Sequence, residues 1–171
     1  YVRRYGVALP TRRPSRRDAA WILGGTVLAL VGVTVSLLAL GALGIEAAPN
    51  AIGVAGEATP VVFLALAVVS VLAVGPAEEL LFRGAIQGRL RETVGPVGAI
   101  LGAGALFASV HAVAVVGTLG ATVTTVAVIF VVSSVLGVAY ERTRNVVVPM
   151  LLHGLYNATL FTVAYLGSGA V

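Results

Sequence analysis

Six polar side chains are set among long apolar runs in this chain: Glu78, Glu79, Arg83, His111, His153 and Asn157. Each ionisable group costs roughly 2.5–3.5 kcal/mol at the centre of a bilayer on insertion scales, so such residues persist there when they pair or act. In Glu78-Glu79-Leu80-Leu81-Phe82-Arg83 a helix turns about 100° per residue. Glu79 and Arg83 therefore share a face and can neutralise each other, while Glu78 points elsewhere without an obvious partner. Phe107-Ala108-Ser109-Val110-His111 sets an aromatic ring one turn before an imidazole, and His153-Gly154-Leu155-Tyr156-Asn157 sets an imidazole and an amide on one face. A carboxylate, two imidazoles and an amide can hold a metal ion, or a water that the carboxylate deprotonates.

Taken singly, each residue has a plainer reading. Glu79 and Arg83 make a buried ion pair, and a lone histidine in a helix is most often a packing residue. Depth argues for the group. At ~1.5 Å per residue, Glu78 lies about 18 Å from Leu90, His111 about 22 Å from Pro96, His153 about 10 Å and Asn157 about 16 Å from Val146. All four reach the middle of the membrane at overlapping depths.

The elements that must position them follow from composition. Of 171 residues, 58% are hydrophobic and 11% charged, and the mean hydropathy is +1.03. Ordinary soluble domains carry about 25% charge, so a water-soluble globule is excluded, and the high hydrophobicity excludes a disordered chain. A bilayer core of about 30 Å needs about 20 apolar residues in a helix. Five runs of suitable length predict an all-α polytopic membrane bundle: Trp21–Ile45, Val61–Leu90 with a kink at Pro76, Pro96–Val116, Ala121–Tyr140 and Val146–Leu166. Residues 1–20 form a basic segment before a transmembrane domain over 21–171, whose motif-bearing core covers 61–166. The chain starts at Tyr1 rather than methionine, as expected of a fragment of a longer protein.

All 11 basic residues are arginine, and Arg3, Arg4, Arg12, Arg13, Arg16 and Arg17 precede the first run. An arginine cluster before a span sets topology and touches anionic lipid headgroups, and nucleic acid is not expected as a partner. With a cytoplasmic N-terminus, five spans place Arg89, Arg91, Arg142 and Arg144 on the same side. The outer loops, Glu46–Pro60 and Gly117–Gly120, then hold no arginine. The spacings Gly84-x-x-x-Gly88 and Gly98-x-x-x-Gly102 are read as intramolecular helix packing. Without cysteine the chain has neither a disulfide nor a thiolate.

Glu-Glu-x-x-x-Arg, then Phe-x-x-x-His, then His-x-x-x-Asn, in that order on successive helices, resembles the CPBP family: CAAX proteases and bacteriocin-processing enzymes, also called the Abi family of intramembrane endopeptidases. The three motifs cover Glu78–Asn157, and the run from Tyr140-Glu141-Arg142-Thr143-Arg144 to Pro149-Met150-Leu151-Leu152-His153 is similar to the family's approach to its last motif. The resemblance implies an endopeptidase that cleaves membrane-associated proteins or peptides, of which the eukaryotic branch trims prenylated CAAX tails. Carried over residue by residue, Glu78 would activate the water, and His111, His153 and Asn157 would position it, stabilise the oxyanion or bind a metal. Glu79 and Arg83 would support them, and Phe107 would pack near the histidine. A divalent metal, zinc first, has Glu78, His111, His153 and Asn157 as its candidate ligands. Asn157 is a poor zinc ligand, and a glutamate-activated water is equally open.

Other intramembrane chemistries fit less well. The chain lacks His-Glu-x-x-His, and Asp18 is its only aspartate, so paired aspartates are impossible. Ser168 lies too near the end of the last span for a serine nucleophile, while Ser109 and Ser133 stay open for that type. The alternative from another class is a non-enzymatic membrane protein, a transporter, immunity factor or scaffold with a structural or binding polar centre.

Overall fold

A computed structural model describes residues 9–169; Arg3 and Arg4 of the basic segment lie outside them. The described chain is helical, with no β-strand and one isolated bridge between Asn50 and Val115. Helix α1 (Arg16–Ala42) begins five residues before Trp21, because Ser15 and Asp18 close a capping box around its first turn. The loop that follows contains a short helix, α2 (Ala51–Glu57), started by the Asn50 side chain accepting from the Ile52 N–H. Helix α6 (Leu119–Thr143) starts on a Thr118 cap and ends at Arg144 in the left-handed region, and α7 (Val147–Gly167) follows at once.

Between α2 and α6 the helical chain is continuous over Val61–Ala114. It comprises α3 (Val61–Val69), a π turn (Ser70–Val74), α4 (Gly75–Glu79), a second π turn (Leu80–Gln87), α5 (Gly88–Val110) and a 3-10 turn (His111–Ala114). At Pro76, where a kink is expected, the helix carries a π turn on either side, and the Gly75 N–H reaches back five residues to the Ser70 carbonyl just before the residue that has no N–H to donate. Four uninterrupted helical stretches are thus long and apolar enough to cross a membrane, where hydropathy predicts five spans. Gly95 reconciles the two counts. Its φ of 71° and ψ of −180° break α5 just before Pro96. The arms then fold back on each other, bringing Phe82 against Phe107 and Leu90 against Gly102. The second arm ends its α-helix at Val110, six residues short of the expected Val116, so His111 opens a tighter turn instead of sitting inside a helix.

The bundle is apolar outside and polar at its centre. Leu23, Leu38 and Leu72 are largely exposed, as lipid-facing residues are. Helix α1 packs on α6 and α7 through Ile22, Ala29, Val132, Leu136, Ala139, Val148 and Leu152. Helices α3 and α4 and the π turn between them pack on α7. Backbones meet there: a Cβ on Gly154 would lie 2.8 Å from Val71 Cα, and one on Gly75 would lie 2.8 Å from the Met150 carbonyl. The two glycine spacings noted in the sequence do not make this contact. Gly84 faces Leu9, Gly102 and Gly98 face Leu90 and Val94 across the break at Gly95, and Gly88 meets only the Arg83 carbonyl. Because backbone cannot move aside as a side chain can, Gly154→Ala is expected to cost about 1–3 kcal/mol, measured as a lower midpoint of thermal unfolding in detergent.

Candidate active site

The second π turn and the start of α5 are joined to α6 by a polar ladder. Arg83 donates to the Ser133 carbonyl (2.7 Å) and hydroxyl (2.6 Å), Gln87 to the Gly137 carbonyl (3.0 Å), and Arg91 to Glu141 (3.0 Å). Each rung links residues 50 apart in sequence, as parallel helices in constant register require. At its inner end the ladder meets Glu79. Glu79 and Arg83 are both 0% exposed and 2.9 Å apart, the pair that their spacing predicts.

Glu79 does more than neutralise Arg83. The same carboxylate oxygen accepts from His153 Nδ1 at 2.9 Å, across 74 residues of sequence. His111 Nδ1 lies 2.7 Å from the Phe107 carbonyl. Both oxygens can only accept, so in the neutral rings the proton sits on Nδ1 and the Nε2 lone pair is free. Both free nitrogens face Glu78, with its Oε2 3.8 Å from His111 Nε2 and 3.9 Å from His153 Nε2. That oxygen is buried and has no hydrogen-bond partner, although the side chain as a whole is 30% exposed. An orphaned carboxylate oxygen between two acceptor nitrogens requires something to share.

A water fits the gap. Two hydrogen bonds of about 2.8 Å each bridge 3.8–3.9 Å comfortably. A metal fits in kind, since two imidazoles and a carboxylate are a catalytic zinc donor set, but ligands about 2.1 Å from a tetrahedral ion stand about 3.4 Å apart. These donors would have to close by about half an ångström, and among the described residues no group of three His, Asp or Glu side chains is already gathered tightly enough to hold an ion.

Phe107 is the packing hub. Its buried ring lies 4.4 Å from the His111 ring, 5.6 Å from His153 and 5.0 Å from Phe82, and the Arg83 guanidinium carbon stands 4.9 Å from its centroid. The structure therefore brings together Glu78, Glu79, Arg83, Phe107, His111 and His153. Asn157 sits one turn beyond His153 on α7, half-buried, with no side-chain hydrogen bond among the described residues. Residue spacing did not reveal Ser133, Phe82 or Gln87, because their roles depend on which helix lies opposite. Ser133 is committed to Arg83 and Ser109 is exposed on α5.

Comparison with known proteins gives one match. The family model described as type II CAAX prenyl endopeptidase Rce1-like matches residues 60–159, a stretch that begins just before α3 and ends two residues past Asn157. No curated protein and no solved structure matches the chain.

Proposed function

The chain belongs to the type II CAAX prenyl endopeptidase Rce1-like family, and from that premise we propose that it hydrolyses peptide bonds of membrane-anchored protein substrates with a water activated by Glu78. The observation that carries this reading is the unpartnered Glu78 Oε2, faced by two imidazole nitrogens whose opposite nitrogens are already engaged. Such a gap holds a water whose protons point at acceptors and whose lone pair is left for a carbonyl carbon.

In the proposed reaction the water donates one proton to Glu78 and a hydrogen bond to an imidazole Nε2. Its oxygen bonds to the scissile carbonyl carbon, and the carbonyl electrons move onto oxygen. The Asn157 amide, one helical turn beyond His153 on α7 and without a side-chain hydrogen bond among the described residues, stabilises that oxyanion. The intermediate collapses as the C–N bond breaks, and the proton held by Glu78 passes to the leaving amine. Glu79 keeps the His153 ring in the tautomer that presents Nε2, and Arg83 holds Glu79. If a divalent ion were bound, Glu78, His111 and His153 would hold it, and it would act as a Lewis acid on the carbonyl. The arginine-bearing end of the bundle is taken as cytoplasmic, and membrane lipids surround the remainder.

The reading is tested with purified protein in liposomes and a lipid-anchored CAAX-type reporter peptide, the products being identified by mass. Cleavage is expected for the wild type and absent for His111→Ala; cleavage surviving both His111→Ala and Glu78→Ala would overturn the assignment and favour a non-enzymatic role. Exhaustive dialysis against a strong chelator is expected to leave the rate within twofold. A loss restored by zinc would instead assign the three donors to a metal.

A further inference from the structure

Away from this site, an apolar groove of about 350 Å³ runs between α1 and α6. Trp21 and Leu28 line one wall, and Val131, Val135 and Val138 line the other, with Phe130 at the inner end. Gly24 lies between Trp21 and Leu28 on the same stripe of α1, and nothing comes within 4 Å of where its Cβ would be. The one hydroxyl in the wall, Ser134, is spent on the Phe130 carbonyl of its own helix.

Both walls continue to an arginine. Residues 17, 21, 24 and 28 follow one another at helical spacing on α1, and so do 131, 135, 138 and 142 on α6. Arg17 and Arg142 therefore stand one turn beyond the groove, at the same end of the bundle, where Arg12 links the start of α1 to Thr143. The carboxylates next to them in sequence are taken: Asp18 pairs with Arg12, and Glu141 with Arg91 and Arg144. Arg17 and Arg142 are exposed and have no ion-pair partner among the described residues. Positive charge is thus left over at the mouth of an apolar channel.

We propose that this groove binds one anionic phospholipid, an acyl chain lying between Trp21–Leu28 and Val131–Val138 and the phosphate held by Arg17 and Arg142. The guanidinium fork matches phosphate oxygens bidentately. A second copy of the chain would bring further arginines to the same level and is disfavoured by like charge. The substrate's lipid is disfavoured by position. Ser133 turns toward Arg83 and the reaction centre, whereas Val131 and Val135, two residues to either side, face the groove, so α6 stands between groove and site.

Native mass spectrometry of the full chain, released from nanodiscs of equal phosphatidylglycerol and phosphatidylcholine, tests the site. The wild type is expected to keep one phosphatidylglycerol and no phosphatidylcholine. Arg17→Gln/Arg142→Gln is expected to keep at least tenfold less, and Val135→Trp, which fills the groove but leaves the arginines, is expected to lose it as well. Arg89→Gln removes an arginine paired with Glu92 and should retain the lipid; its loss there would make retention a matter of net charge and overturn the site. Equal retention of both lipids, or wild-type retention by either groove variant, would overturn it too. Displacement by a prenylated reporter peptide would assign the groove to substrate. Reporter hydrolysis by each variant in detergent is expected to match the wild type, which separates lost binding from lost folding.

Discussion

Glu78→Gln is expected to lower kcat by about 10²–10⁴-fold, the usual contribution of a positioned general base, while KM changes little. Glutamine preserves the shape and one acceptor oxygen for the water, but it cannot take a proton from that water. Because Glu78 makes no hydrogen bond to protein and is part-exposed, its replacement removes no structural contact. Thermal unfolding of the variant should stay within about 0.5 kcal/mol of wild type, the range of neutral substitutions. The combination of unchanged stability, unchanged KM and lost turnover is the signature of an interaction made only in the transition state. A kcat within tenfold of wild type would remove Glu78 from the reaction.

The neighbouring residue should behave in the opposite way. Glu79→Ala leaves the Arg83 guanidinium buried, with its carboxylate gone and Nε already unpartnered. Breaking a buried pair from one side typically costs about 3–5 kcal/mol, so most of the stability expected of a small bundle would be lost and little folded protein recovered. Replacing both partners, Glu79→Leu with Arg83→Met, should restore a large share of that loss, because no buried charge remains without a counter-charge. Activity should not return, since His153 loses the acceptor that fixes its Nδ1 proton. Thermal unfolding and reporter hydrolysis measured on the same three proteins separate the two roles. An unfolding midpoint for Glu79→Ala equal to that of wild type would show that the pair contributes nothing to stability.

Adjacent glutamates with opposite expectations show where sequence reasoning succeeds. Helical period alone separates them, because a 100° step sends Glu78 and Glu79 to different faces and puts Arg83 beneath Glu79. Hydropathy alone locates the spans, since each must bury its own backbone hydrogen bonds over a bilayer's thickness. The ordered motifs point to the family that the match over residues 60–159 shows. Boundaries are less legible: the start of α1 is set by Ser15 and Asp18 rather than by the first apolar residue, and the end of α5 by the turn at His111.

Contacts between helices required the tertiary structure. No spacing states that Glu79 reaches His153 across 74 residues, that Arg83 ends on Ser133, or that Phe107 touches both imidazoles. Those contacts depend on the backbone approach at Gly75 and Gly154, on two π turns that change the pitch around Pro76, and on the reversal at Gly95. Residue order alone established a membrane helix bundle and the partners available within one helix, because those follow from local period and transfer free energy. Only the folded molecule decided that Glu78 would stand unpartnered between two oriented histidines, because the distance between residues on different helices is set by how closely their backbones pack.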